Sequence, residues 1–285
     1  MNQGNANINY ENQIVAFVDI LGFKEIIKNS VQNLSKVNLL YQALEFLKRR
    51  ENSLKWNLKL IEVEEDAQKI GVEKFDIEGL VNCSCFSDSI VVSIKVTDQN
   101  INELTSTLIT NLSFIGAQLM QAGILIRGGI SVGKMIHLNN GILMGPALIE
   151  AYQLETNSAK FPRIILSKKL LEKLNYPLEE KRRRYPYHQY LNRFDDGCVG
   201  FHQMIYYQVL QNSSHLSNRN LKAQLKKIKK TIIDGLDDHF ESAETYQKYA
   251  WLKKQYEELA ILTDDKSPIF EVGSHNIHFY DSNRF

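Results

Sequence analysis

The chain has 285 residues, of which 44% are hydrophobic, and its 34 basic and 33 acidic residues leave a formal charge of +1. This composition is typical of a soluble globular protein and excludes a disordered chain, and the near-neutral charge excludes a general attraction to nucleic acid or anionic membranes. No apolar run approaches the roughly 20 residues of a membrane span. The three cysteines, an odd number, are expected to be reduced thiols in a cytoplasmic protein.

The beginning of the chain predicts a polar arm followed by strands and helices. Residues 1–12 are polar and Asn-rich, which predicts a frayed arm and not a signal peptide. The apolar residues 13–20 predict a strand buried on both faces, and a helix is expected to begin at Phe23. The spacing of leucines predicts an amphipathic helix over 34–51. We expect a strand near 56–63 and an irregular insertion after it.

The middle of the chain predicts the rest of an α+β domain. The pair Ser87-Asp88 is expected at a hairpin turn, and Asn139-Asn140-Gly141 signals a second hairpin. Gly123 is a predicted helix C-cap and Ser167 a predicted N-cap. The expected strands cover 79–86, 89–96, 124–133 and 163–166, and the expected helices cover 101–122, 145–155 and 167–174. This order is the ferredoxin-like βαββαβ pattern.

The last third of the chain differs in composition. The charge run Glu179–Arg184 predicts a solvated connection, and residues 201–210 predict either a strand or a short helix. Amphipathic helices are expected over 221–240 and 244–259, and the lysine-rich face of the first is interpreted as a solvated surface. The predicted organisation is therefore a flexible arm at 1–12, one domain at 13–178 and a mostly helical C-terminal extension at 179–285 that packs on the core or on a dimer.

Two aspartates stand beside apolar strands. Asp19 interrupts the apolar run 14–23, and an unpartnered buried carboxylate is costly, so it must be paired, protonated or bound to a cation. Asp88 leads into the apolar strand at 89–96. Two such residues on neighbouring strands would form an oxygen-ligand site for a divalent cation. Either residue alone could instead serve as a turn or helix-cap residue.

Four segments occur in an order that resembles a known enzyme superfamily. They are Val18–Phe23, Ser87–Ser89, Arg127–Gly133 and the segment from Gly145-Pro146-Ala147 to Leu154-Glu155. Together they resemble the motifs of class III nucleotide cyclases, over about residues 12–175. Within that superfamily the chain most resembles the pyrimidine cyclases of bacterial Pycsar antiphage defence.

The resemblance implies a metal site with two divalent cations, Mg²⁺ or Mn²⁺. Their ligands would be the carboxylates of Asp19 and Asp88 and the backbone carbonyl of Ile20. Cations held in this way can activate the attacking 3′-hydroxyl and neutralise the α-phosphate and the leaving group.

The resemblance also implies a phosphate site. Backbone amides of Leu21, Gly22 and Phe23 would hold the β- and γ-phosphates at the start of a helix. Arg127 lies inside a strand at the position of the cyclases' strand arginine, where its planar fork would pair with a phosphate. The alternative for Arg127 is a salt bridge in the core or at an interface.

The chain departs from purine cyclases in the last motif. Ile149 and Gln153 stand where those enzymes carry an asparagine and an arginine that act on the ribose and the transition state. Another cation, Lys134 or Arg163, would then stabilise the transition state, or the site is inactive. The residues at the positions that contact a purine base, near Ser84 and Ile142, do not match either.

These departures favour a pyrimidine nucleoside triphosphate as substrate. The predicted enzyme is a metal-dependent lyase that converts UTP or CTP to cUMP or cCMP and pyrophosphate, as a second messenger in antiphage defence that acts on a separate cyclic-nucleotide-binding effector. No membrane or nucleic acid is expected as a partner. The alternatives are a purine cyclase and an inactive nucleotide-binding module. Since each motif occurs once, the resemblance implies a head-to-tail homodimer with two sites shared between subunits.

Overall fold

The computed structural model describes residues 8–51, 58–63, 66–74, 79–176, 186–212 and 218–262. The strands in these ranges are β1 (Glu11–Ile20), β2 (Leu58–Val63), β3 (Asp66–Lys74), β4 (Val81–Phe86), β5 (Ser89–Lys95), β6 (Ile126–His137), β7 (Leu143–Met144), β8 (Arg163–Leu166), β9 (Asn192–Arg193) and β10 (Val199–His202). The helices are α1 (Phe23–Ser30), α2 (Leu34–Glu51), α3 (Ile101–Gln121), α4 (Pro146–Ser158), α5 (Lys168–Lys173), α6 (Ile205–Asn212), α7 (Asn218–Asp238) and α8 (Ala243–Leu262). The charge run Glu179–Arg184 lies outside the described residues.

A large sheet organises the chain, and its strands follow the order β4-β5-β1-β6-β8-β10-β9. The first four of these strands are each antiparallel to their neighbours, which is the ferredoxin-like arrangement expected from the βαββαβ order. β8 then adds parallel to β6, and β10 adds antiparallel to β8. The predicted α+β class is thus confirmed, with an open and mostly antiparallel sheet.

Strand β1 lies in the middle of the sheet and is buried on both faces, as its apolar sequence predicts. Ile14, Ala16 and Val18 point into the main core, which they share with the apolar side chains of α3. Val15 and Phe17 point to the opposite face, where α4 covers the sheet. Side chains alternate along a strand, so Asp19 lies on the same face as Val15 and Phe17.

The irregular insertion expected after residue 63 is a strand instead. Asp66–Lys74 pairs antiparallel with Leu58–Val63, and the register shifts between Glu62 and Val63. Ile70 and Val72 are β-branched residues two positions apart, which is a strand pattern, but acidic and lysine residues around them obscure it. The prediction of irregular structure was therefore wrong for this segment.

The C-terminal extension contributes to the sheet as well as to the helical layer. The sequence of residues 201–210 allowed either a strand or a short helix, and the segment contains the end of β10 and the start of α6. Helices α7 and α8 pack on each other and on the end of α3, in an apolar cluster that also includes Leu21. None of the helices in the described part of the chain is both long and apolar enough to cross a membrane.

Candidate active site

The structure brings the two aspartates together at one end of β1. Asp19 is opposite Ser89 in the register of β1 with β5, and the Ser89 hydroxyl donates to Asp19 Oδ1 at 3.0 Å. Asp88 lies in the tight turn between β4 and β5, where Ser87 has a left-handed φ of 51°. The amide of Ile20 donates to the carbonyl oxygen of Asp88 at 3.1 Å, which ties this turn to β1.

Burial and like charge perturb the Asp19 carboxylate. Burial, followed by the negative charge of Asp88, raises the pKa of Asp19 from its ordinary 3.8 to about 6. The hydrogen bond from Ser89 and the charge of Arg127 act in the opposite direction without reversing the shift. Two carboxylates that repel each other at a partly buried site are a donor set that suits a divalent cation. Among the described residues, no group of three or more His, Cys, Asp or Glu side chains is placed to hold a metal ion.

Arg127 lies beside Asp19 on the neighbouring strand and bridges two carboxylates. The register of β1 with β6 places Arg127 directly opposite Asp19. Its Nε lies 2.7 Å from Glu155 Oε1, an ion pair without hydrogen-bond geometry, and its Nη2 lies 3.8 Å from Asp19 Oδ2. The Glu155 side chain is only 4% exposed, so the guanidinium compensates a buried negative charge. In this structure Arg127 therefore makes the salt bridge that the sequence left open as the alternative to a phosphate contact.

Glu155 is a site residue that the motifs include but to which sequence reasoning gave no role. A local signal was available, because Ala147, Ala151 and Glu155 are spaced four residues apart and so lie on one face of α4. That face packs on β6 so closely that a Cβ on Gly129 would overlap the Ala151 carbonyl oxygen. Gly129 thus allows α4 to approach the sheet, and this approach brings Glu155 close to Arg127.

The turn after β1 is the expected phosphate cradle. Gly22 has a φ of 77° and precedes the first residue of α1, with no side-chain cap. A Cβ at Gly22 would meet nothing within 4 Å, so the turn faces open space. The amide of Leu21, however, donates to the Leu125 carbonyl at 2.8 Å and is not free for a phosphate. Of the three amides predicted to bind phosphate, those of Gly22 and Phe23 remain as candidates, and they lie at the positive end of α1.

A cleft of about 900 Å³ opens beside this turn. Its walls come from α1, α2, the end of α3 and the C-terminal helices α7 and α8. Four lysines line it, Lys36, Lys227, Lys230 and Lys248, together with three carboxylates, Glu25, Asp234 and Asp238. The C-terminal extension is therefore part of the surroundings of the candidate site.

Neither of the two cations suggested as substitutes for the missing arginine is available to the candidate site within one chain. Arg163 is 1% exposed and is held by Asp196, with Nη1 at 3.2 Å from Asp196 Oδ1, and its guanidinium also stacks over Phe194. Lys134 is exposed and lies seven residues from Arg127 along β6, about 23 Å in an extended strand. Arg163 stands near the Asp19 end of the sheet, next to Arg127, but its guanidinium is held by Asp196. Lys134, by contrast, is too far along β6 to reach that end within one chain.

The positions that depart from the purine cyclases have different surroundings. Ile149 and Gln153 are exposed on α4. Ser84 is buried, and its hydroxyl is hydrogen-bonded to Nε2 of His137 at 2.8 Å. The other ring nitrogen of His137 is 2.9 Å from the hydroxyl of Ser93, so Ser84 belongs to a buried polar network.

No family model and no curated protein matches the sequence. Solved structures with a related fold do match. They include the catalytic core of a rhodopsin-guanylyl cyclase with converted specificity in complex with ATPalphaS, at 16% identity and a TM-score of 0.37 over 67% of this chain and 93% of that one. A class III adenylyl cyclase-like ATP-binding protein from Pseudomonas aeruginosa has 12% identity and a TM-score of 0.42 over 71% of this chain, which spans only 40% of that protein. An adenylate/guanylate cyclase/hydrolase from Silicibacter pomeroyi has 14% identity and a TM-score of 0.33 over 67% of this chain and 94% of that one. These values describe a distant likeness of fold and assign no substrate.

Proposed function

We propose that the chain is a class III nucleotide cyclase that converts UTP or CTP to the 3′,5′-cyclic mononucleotide and pyrophosphate. The observation that carries this proposal is the convergence of Asp19, Asp88 and Arg127 at one end of β1, next to the Gly22 turn. These residues belong to separate segments of the sequence, and each has the chemistry that phosphoryl transfer within a nucleotide requires.

In the proposed reaction the 3′-hydroxyl loses its proton to water and its oxygen attacks the α-phosphorus. The bond from that phosphorus to the oxygen that bridges to the β-phosphorus breaks, and pyrophosphate leaves with the bonding electron pair. Asp19, Asp88 and the carbonyl of Ile20 would hold two Mg²⁺ or Mn²⁺ ions, which supply charge neutralisation at the hydroxyl and the phosphates. Gly22 and Phe23 would orient the β- and γ-phosphates through their amides. Arg127 has an Nη2 that is 3.8 Å from Asp19, a long contact that a phosphate oxygen can replace.

The pyrimidine specificity rests on what the chain lacks at the purine-contacting positions. Ile142 is apolar, and the hydroxyl of Ser84 is already bonded to His137, so neither offers the usual contacts to a purine. A smaller base needs fewer polar partners. We propose that the product is a second messenger in antiphage defence and acts on a separate cyclic-nucleotide-binding effector in the cytoplasm.

A homodimer is part of the proposal, because exposed apolar side chains follow one another along the β7–α4 segment. Ile142, Met144, Ile149 and Tyr152 are each about half exposed. Grouped apolar exposure of this kind marks interaction surfaces, and closed two-fold pairing is the commonest arrangement for identical chains. The inward face of α4 serves its own chain through Glu155, so the outward face is the part that would contribute to a partner's site.

The experiment that tests the proposal incubates the purified protein with each of the four ribonucleoside triphosphates and Mn²⁺ and identifies cyclic products by mass spectrometry. Formation of cUMP or cCMP supports the proposal. Formation of cAMP or cGMP alone would replace it with the purine alternative, and no product from any of the four would favour the inactive nucleotide-binding module.

A further inference from the structure

The C-terminal helix α8 forms one wall of the cleft that opens beside the phosphate cradle. Gly22 lines this cleft from the turn after β1, and Lys248 and Tyr249 line it from α8. Packing in the core fixes this position of α8, because Leu21 in the turn and Leu252 of α8 belong to the same buried apolar cluster. The first two turns of α8 are thereby held next to the turn that is proposed to bind the β- and γ-phosphates.

Lys248 and Lys230, two of the four lysines that line the cleft, form ion pairs that differ in the exposure of the lysine. The Lys248 side chain is only 17% exposed, while its ion-pair partner Glu244, one turn earlier in α8, is 86% exposed. The Lys248 Nζ donates to Glu244 Oε1 at 2.8 Å. An ion pair with so exposed a carboxylate contributes little to stability and is easily exchanged. By contrast, Lys230 is 75% exposed and is already bonded to both carboxylate oxygens of Asp234.

Glu244 also lies within electrostatic reach of the other side of the site. The hydrogen bond and the charge of Lys248 lower the pKa of Glu244, and the charge of Arg127 contributes in the same direction. The start of α8 therefore lies near enough to Arg127 to interact with its charge, and it also lines the cleft beside the Gly22 turn.

We infer that Lys248 contacts the terminal phosphates of the nucleotide, so that its ammonium group leaves Glu244 for a phosphate oxygen when substrate binds. This inference rests on the proposed function. As the bond between the α-phosphorus and the β-bridging oxygen breaks, negative charge accumulates on the departing pyrophosphate, and a fixed ammonium group stabilises that charge. No proton moves in this contact. Lys248 would thus supply a cation that Lys134 is too distant, and Arg163 too firmly held by Asp196, to provide within one chain.

The test compares substitutions at both members of the ion pair with a control on the same helix. The readout is the binding of inorganic pyrophosphate in the presence of Mn²⁺, measured by titration calorimetry on the full chain. Lys248→Ala is expected to weaken this binding about 10- to 100-fold, the usual effect of losing a charged hydrogen bond, and Lys248→Arg to restore part of it. Glu244→Gln should tighten binding, because it removes the competitor. Lys254→Ala should leave binding unchanged, since Lys254 is 60% exposed and faces Asp195 at 3.6 Å.

If the Lys248–Glu244 ion pair only stabilises the first turn of α8, the variants should behave differently. Lys248→Ala and Glu244→Gln would then lower the melting temperature alike and would leave pyrophosphate binding equal to that of Lys254→Ala, and this result would overturn the inference. If Lys248→Ala fails to fold, Lys248→Gln keeps most of the length of the side chain without its charge, and it is held to the same expectation.

The same proteins are assayed for cyclic products, which separates this inference from the proposed function. A wild-type protein that binds pyrophosphate through Lys248 but cyclises no nucleotide removes the cyclase proposal and retains Lys248 as a phosphate ligand. A wild-type protein that forms a cyclic product, with Lys248→Ala as active as Lys254→Ala and with equal pyrophosphate affinity, rejects the role of Lys248 alone.

Discussion

Arg127 on β6 and Arg163 on β8 lie on neighbouring parallel strands. They differ in how many carboxylates surround the guanidinium group. Each stands one residue before the paired residues Gly128 and Ile164, so the two lie side by side in the sheet. Arg163 is fully buried and is matched by Asp196, by the Ser158 carbonyl and by the ring of Phe194. Arg127 is 25% exposed and faces both Asp19 and Glu155.

The difference between them is one of charge balance. A single carboxylate pairs with Arg163, so the charges of that pair balance, although the buried Arg163 Nε has no hydrogen-bond partner among the described residues. Around Arg127, the carboxylates of Asp19 and Glu155 meet one guanidinium, and Asp88 adds a further negative charge that acts on Asp19. An uncompensated excess of negative charge at a partly open site is what a cation relieves. The comparison therefore separates a structural arginine from one in a candidate site, although both occur in apolar strand sequences.

The largest expected effect follows from removing the carboxylates that create this excess. Asp19→Ala and Asp88→Ala should each abolish detectable cyclic product, because either change removes a proposed metal ligand. Neither should unfold the protein, and the melting temperature of the metal-free chain should hold or rise, since repulsion between carboxylates is relieved. Product formation and thermal melting are measured side by side for each variant.

The matched control is Asp98→Ala, because Asp98 is an exposed aspartate that pairs only with Lys173 on the surface among its described contacts. It should retain the activity of the wild type. Normal turnover in Asp19→Ala or in Asp88→Ala would remove that aspartate from the site.

The second prediction concerns the ion pair between Arg163 and Asp196. Asp196→Ala would leave the buried Arg163 guanidinium without its carboxylate and should cost about 3–5 kcal/mol in the free energy of unfolding, as for other broken buried pairs. Arg163→Met should cost less, because the carboxylate left behind is 45% exposed and can be hydrated. Urea unfolding of both variants measures this order, and a greater loss for Arg163→Met would show that the pair is not held as described.

Arg163→Met also tests whether Arg163 takes part in catalysis. Provided the folded fraction is matched, Arg163→Met should turn over substrate at the wild-type rate. A folded variant with strongly reduced turnover would return Arg163 to the set of candidate catalytic cations.

Much of the fold could be predicted from the sequence because its signals are local. The apolar run of β1 and the leucine spacing of α2 each set an element by periodicity within a few residues. The β3 strand was missed because its β-branched residues are surrounded by charges, and the side-by-side placement of Arg127 and Arg163 depends on a parallel strand pairing that no short segment encodes. The proximity of Lys248 to Gly22 arises from packing between residues more than two hundred positions apart, so the candidate site could be predicted only in the part that the motifs carry.

The third prediction addresses Arg127. Arg127→Ala should weaken triphosphate binding and turnover about 10- to 100-fold, which is the usual range for a lost charged hydrogen bond. Arg127→Lys should restore only part of this loss, since a point charge cannot replace a planar fork. Steady-state kinetics with the nucleotide that the wild type accepts provide the measurement.

Glu155→Gln is the control that separates the two interpretations of Arg127. It removes the carboxylate at 2.7 Å and leaves the guanidinium in place. If Arg127 binds phosphate, Glu155→Gln should retain more activity than Arg127→Ala. Equal losses in folded proteins would mean that the ion pair itself, and not a phosphate contact, is what the site requires.

The smallest expected effect is a pH dependence of the metal-free protein. Burial and the charge of Asp88 raise the pKa of Asp19 from 3.8 to about 6, so between these values the folded chain keeps a proton that the unfolded chain has lost. The contribution of Asp19 to the free energy of unfolding therefore falls as the pH rises from about 4 to about 6, and it changes no further above that. His202, whose pKa is lowered by burial to about 4, contributes the opposite slope over much of this interval.

The measurement is therefore a difference between two chains that both keep His202. Urea unfolding of the wild type and of Asp19→Asn, in the presence of a chelator, should show a wild-type stability that declines relative to the variant as the pH rises toward 6. Mn²⁺ should reverse this decline in stability in the wild type alone, because the ionised carboxylate binds the ion. The increase in melting temperature caused by Mn²⁺ should therefore grow as the pH passes about 6. Parallel stability curves for the two chains, with and without Mn²⁺, would mean that Asp19 titrates as an ordinary surface carboxylate, and the excess of negative charge that distinguishes Arg127 from Arg163 would lose its basis.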